Sequence, residues 1–94
     1  MAKTVDATIL FVDIMDSMEI ANYWSATKYS DFINEFQRLM QHGICLWQKG
    51  IKQVKLAGDE LVVFYCSKDI IEDIVNAICL ANTLKIIWYA SKSN

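Results

Sequence analysis

VKLAGDELVVF, Val54–Phe64, is the stretch on which the reading of this chain turns. Two apolar, β-prone runs flank Gly58-Asp59, and a strand, a short Gly-Asp turn and a strand make a β-hairpin. Gly50 marks the turn into a strand over Ile51–Leu56, and the second strand covers Leu61–Cys66. Working outward, the other segment of this kind is FVDI at Phe11–Ile14, the end of a first strand over Val5–Ile14. Its run ATILFVDI is almost continuously apolar, which predicts a central strand covered on both faces. Each segment carries an aspartate where strand gives way to turn, and Asp13 and Asp59 lie 46 positions apart. A carboxylate at the end of a buried strand is poor core material unless it is paired or metal-bound. Side by side, the two would form a seat for hard divalent cations, the basis of magnesium-dependent phosphate chemistry. The Ile14 carbonyl is a candidate further ligand, and amides opening the next helix are candidate donors to phosphate oxygens.

Helices fill the rest. Ser17 is placed to cap a short helix through about Trp24, and Ser25 or Thr27 to start a second. Tyr29, Phe32, Ile33, Phe36, Leu39 and Met40 recur at three-to-four spacing along it. Ser67 or Asp69 caps a last helix to about Tyr89, ahead of a polar tail expected to fray. That helix carries one apolar face of Ile70, Ile74, Ala77, Ile78, Ala81 and Leu84, widened by Leu80 and Trp88, and a second of Ile71, Val75, Cys79 and Ile87. So broad an arc predicts that part of it meets a second subunit or further chain. The order β-α-α-β-β-α is half of a split βαβ arrangement, an α/β (α+β) fold.

Ninety-four residues make one domain at most, and such a domain buries roughly 60–65% of the surface its unfolded chain exposes. Yet 54% of the residues are hydrophobic and mean hydropathy is +0.22, which points either to apolar surface covered by a partner or to a chain that is one part of a larger domain. Nine basic and eleven acidic residues, with no basic tract, leave no electrostatic footprint for nucleic acid. Cys45, Cys66 and Cys79 form no CxxC pair and His42 is the one histidine, so zinc is not indicated. Reduced, mostly buried thiols in a cytoplasmic protein are expected. MAKTVDA lacks the apolar core of a signal peptide, and no apolar run spans a membrane.

Each residue also has a plain reading. Asp13 and Asp59 taken singly are cap or turn residues. Glu60 reads as a solvated or cross-strand residue, and Lys55 points to solvent or to the site with equal weight. Asp6, Asp31 and Glu72–Ile74 read as solvated faces or caps, and His42 as a helix-end cap. Trp24, Trp47 and Trp88 read as core or interface residues, and Gly43, Gly50 and Gly58 as turn punctuation.

Together, LFVDIMDSM at Leu10–Met18 and VKLAGDELVVF resemble the catalytic domain of class III nucleotidyl cyclases, the adenylate/guanylate cyclase family, over about the first half of that domain. The resemblance implies a ferredoxin-like α/β sandwich working as a head-to-tail dimer. It implies metal binding by Asp13, Asp59 and the Ile14 carbonyl, and a phosphate loop over Ile14, Met15, Asp16, Ser17 and Met18. Lys55 matches the family's purine-recognising lysine. The implied reaction is attack of a ribose 3′-hydroxyl on the α-phosphate of a nucleoside triphosphate, ATP by preference. It yields a 3′,5′-cyclic nucleotide and pyrophosphate with two Mg²⁺ or Mn²⁺ ions.

Three departures stand against this pattern. Asp16 occupies a glycine position, Met18 replaces a threonine, and no residue matches the asparagine and arginine that the family carries on later strands. Losing such a positive group costs orders of magnitude in rate, so the 94 residues alone are expected to be inactive. AGDEL at Ala57–Leu61 also resembles the GGDEF diguanylate cyclase signature, although Ala57 replaces its first glycine. A cyclase-like domain that only dimerises or regulates is the non-enzymatic alternative.

Overall fold

A computed structural model describes residues 6–14 and 17–92, leaving aside the side chains of Ser17 and Met18. Three strands and three helices follow one another as β1 (Thr8–Asp13), α1 (Ser17–Tyr23), α2 (Ala26–Leu46), β2 (Ile51–Ala57), β3 (Glu60–Tyr65) and α3 (Ile70–Lys92). The fold is mixed α/β. Its sheet has the order β1-β3-β2, and β3 is antiparallel to both neighbours. β1 and β2 therefore run in the same direction on either side of β3.

Local chemistry accounts for the boundaries. Ser25 adopts an extended backbone and its hydroxyl accepts the Lys28 N–H at 3.1 Å, which caps α2. Asp69 does the same for α3, its carboxylate accepting from Glu72 N at 3.1 Å. α3 continues as helix to Lys92, into the tail expected to fray, whose last two residues lie outside the described ones. Gly58 turns the hairpin at a φ of +57°, the left-handed region that glycine enters without steric cost. Gly43 is not turn punctuation. It lies inside α2, where a β-carbon would collide with the Leu84 side chain of α3; its lack of a side chain sets how closely the two helices approach.

Side chains directly opposite in an antiparallel pair share a face. Leu61, Val63 and Tyr65 of β3 point towards the helices and meet Phe36, Leu39 and Met40 of α2 and Ala77, Leu80 and Leu84 of α3. The other sheet face has no covering layer among the described residues. There Phe11 remains 67% exposed and Ile9 46%. This corrects the expectation of a central first strand: β3 is central, and β1 is an edge strand covered on one face. A continuous apolar run does not reveal which of its two faces has a neighbour.

α3 departs from its expected faces in a similar way. Its buried stripe is Asp73, Asn76, Ala77, Leu80 and Leu84, whereas Ile71, Val75 and Ile78 are more than half exposed. The inward arc keeps Ala77, Leu80 and Leu84 of the expected first face, but its first turns carry the polar Asp73 and Asn76, while Ile70, Ile74 and Ile78 stay exposed. The Asp73 carboxylate accepts the Ser67 N–H at 2.9 Å and the Ser67 hydroxyl at 2.7 Å, which ties α3 to the end of β3. Asp73 is thus a buried anchor rather than a solvated face or cap. The thiols are free, but Cys45 is exposed and Cys66 and Cys79 are half-buried, less buried than expected. Among the described residues, no helix is long and apolar enough to cross a membrane.

Candidate metal and nucleotide site

The register of β1 on β3 assembles the site. Asp13, the last residue of β1, lies directly opposite Glu60, and Glu60 is also opposite Ala57 of β2. Immediately beyond this row, the Ile14 N–H donates to the Asp59 carbonyl at 3.3 Å. That bond brings the backbones of residues 14 and 59 together, so the ends of the two sequence segments are spatial neighbours. Asp13 is exposed and Asp59 half-buried. α2 holds the hairpin tip from outside the sheet: the Gln37 side-chain amide donates to the Gly58 carbonyl at 3.0 Å.

Lys55 sits one row further along the open face, opposite Val62, which is opposite Phe11. Asp13 and Lys55 therefore share a face, on the two edge strands. From strand spacing and rise, their α-carbons are about 11–12 Å apart. The exposed Phe11 lies in the same row as Lys55, with Val62 between them.

Met15 and Asp16 of the expected phosphate loop lie outside the described residues. Ser17 and Met18 open α1 by their backbones. Two contributors escaped the sequence reading. Gln37 falls on the polar side of an amphipathic helix, and nothing local marks it as a hairpin anchor. Glu60 was legible as a cross-strand residue, but the register alone identifies its partner as Asp13. Like charges directly opposite destabilise a strand pair, and a bound cation would reverse that sign. Hard oxygen donors of this kind suit Mg²⁺, which takes one or two carboxylates and completes its shell with water and phosphate. The donor set therefore fits the expected ion. Among the described residues, no group of three or more His, Cys, Asp or Glu side chains is disposed to hold a metal by itself, so phosphate and water oxygens would have to complete the shell.

The plain readings of the aromatic residues hold in part. Trp24 packs edge-on to Phe32, and Trp88 edge-on to Phe32 and Phe36, forming a cluster on the helix side. Trp47 caps the end of α2. His42 is exposed on α2. Compared with known proteins, the chain matches no family model and no curated protein.

Proposed function

We propose that this chain is the metal- and base-binding half of a nucleotidyl cyclase site, built on a split βαβ sandwich of ferredoxin-like kind. The whole site would convert a nucleoside triphosphate to a 3′,5′-cyclic nucleotide and pyrophosphate. The observation that carries this reading is the Ile14–Asp59 backbone bond beside the Asp13–Glu60 row, with Lys55 on the same open face. The strand order, with β3 between two like-directed neighbours, supports the fold half of the proposal.

In this reading, Asp13, Asp59 and the Ile14 carbonyl hold Mg²⁺ or Mn²⁺. Bound ions of this kind neutralise the triphosphate and ease loss of the 3′-hydroxyl proton. Without them, the acidic sheet end repels a triphosphate. Lys55 offers three N–H donors and no acceptor, which selects a base edge carrying a ring acceptor, as in adenine. Phe11 offers an exposed ring against which the base can lie. The amides of Ser17 and Met18, which open α1, would be the donors to phosphate oxygens in this reading. The groups that stabilise the transition state would come from outside these residues, from a second copy or further chain.

Calorimetry tests this directly. ATP, GTP, CTP and UTP are titrated with and without Mn²⁺, followed by product analysis. Binding is expected only with the divalent ion, strongest for ATP, and lost in the double variant Asp13→Asn/Asp59→Asn. Equal binding by wild type and double variant would sink the proposal. A cyclic dinucleotide product would move the assignment to the diguanylate cyclases. The exposed apolar surfaces of α3 and Phe11 favour one second reading, a cyclase-like module that dimerises without turnover. Metal-dependent binding with no product from the assembled dimer would select it.

A further inference from the structure

On the helix side of the β1 end, a cavity of about 500 Å³ opens between α2 and α3. Phe32, Phe36 and Met40 of α2 and Leu84 and Trp88 of α3 form its apolar walls, and Lys85 stands in the same lining. This size and character are those of small-molecule pockets, which run to about 300–1,000 Å³ and join apolar walls to a few polar groups. Lys92 lies over Trp88 and bonds Glu35 at 3.3 Å, and Lys49 pairs with Glu72 at 3.4 Å. Lys85 has no ion pair among the described residues. Asp13 is the other charged residue at the cavity border, and its place opposite Glu60 sets its side chain on the open face of the sheet.

We propose that this cavity binds a medium-chain monocarboxylate, with an alkyl tail of about eight to ten carbons among the aromatic and aliphatic walls and its carboxylate against Lys85. The ligand chemistry differs from that of the cyclase reading and Lys55 takes no part, although Asp13 and Ile14 border both the cavity and the proposed cation seat. The tail supplies the affinity, because each buried methylene is worth about a fourfold change in binding constant. The head supplies selectivity. An exposed ion pair contributes only about a twofold to fivefold effect.

The test uses the whole chain and isothermal titration with hexanoate, octanoate, decanoate and the neutral analogue decanol, all below their micellar range. Affinity is expected to climb about fourfold per methylene along the acid series. Lys85→Glu should weaken decanoate about tenfold, because attraction becomes repulsion, and leave decanol unchanged. Ala81 also lines the cavity, and Ala81→Phe should block both ligands while circular dichroism shows the fold intact. Affinity independent of chain length would overturn the proposal. So would equal loss of decanol and decanoate in Lys85→Glu, or undiminished binding in a folded Ala81→Phe. Lys85 is exposed, so its variants keep the question answerable if Ala81→Phe does not fold.

Discussion

The two ends of β3 carry carboxylates in opposite circumstances. At its C-terminal end, Asp73 is 2% exposed and satisfied within the chain by two hydrogen bonds from Ser67. At its N-terminal end, Asp13 is exposed and faces another carboxylate, Glu60, across the ladder. Asp73 has the partners that a buried charge requires, so its role is to join strand to helix. Asp13 lies where the fold supplies like charge instead of a partner, which is the condition under which an added cation contributes most. Burial and internal satisfaction thus separate a structural acid from an available one.

The strongest test of this contrast removes Asp73. Asp73→Ala leaves the Ser67 N–H without its charged acceptor and loosens the start of α3. Charge-assisted bonds of this kind are worth about 1.5–3 kcal/mol, so urea unfolding should show a loss of about 2 kcal/mol. Metal-dependent nucleotide binding by the remaining folded protein should be unchanged. At the opposite end, Gly58→Ala tests the turn alone. Nothing lies within 4 Å of the added β-carbon, so the cost is confined to the backbone at φ +57°. That cost is about 1.5 kcal/mol, and a smaller loss on urea unfolding would mean that the turn relaxes. Metal affinity should fall with it, because Asp59 is the next residue.

The legibility of the sequence divides along the same line. The hairpin, the strand-end aspartates and the element order follow from local signals: Gly58-Asp59 in its turn, Ser25 and Asp69 at helix starts, and the 3–4 spacing of α2. Which face of β1 is covered, and which arc of α3 turns inward, depend on neighbours that no local window contains. Asp73 and Asn76 break the apolar periodicity that would have identified the inward arc. Asp73 can be buried because Ser67, six residues before it, supplies its polar partners. The Asp13–Glu60 opposition needs the ladder register, and Gln37 needs the path of α2 over the hairpin tip.

Tyr65 refines the buried end. Its hydroxyl is buried without a hydrogen-bond partner among the described residues. Burial, and then the negative charges of Asp73 and Cys79, push its pKa above the ordinary value of 10.0. A raised folded value means that the folded chain holds the proton while the unfolded chain releases it. The associated stability is complete below pH 10 and is lost as pH rises from there through the folded value. Tyr65→Phe should remove that part of the alkaline slope. Near neutral pH it should raise stability by about 1 kcal/mol, since an unsatisfied buried polar atom is deleted with little change of shape. Identical alkaline unfolding curves for the two proteins would show that the hydroxyl is hydrated and releases its proton as readily in the folded chain as in the unfolded one.

The smallest expected effect is the most diagnostic, because its sign depends on the solution. Without divalent ions, Asp13→Asn removes one member of a like-charged cross-strand pair. Such pairs cost up to about 0.5–1 kcal/mol, and exposure reduces this by screening. A gain of roughly 0.5 kcal/mol in metal-free buffer is therefore expected. With Mn²⁺ and a nucleoside triphosphate, the order should invert. The wild type gains stability through binding, in proportion to the logarithm of ligand concentration over its dissociation constant, and Asp13→Asn does not. Glu60→Gln separates repulsion from coordination: it relieves the same like-charge pair and retains Asp13, so it should match Asp13→Asn in metal-free buffer and follow the wild type with metal. If all three proteins respond alike to Mn²⁺, the acidic sheet end is a solvated rim and the difference between the two ends of β3 is one of burial alone.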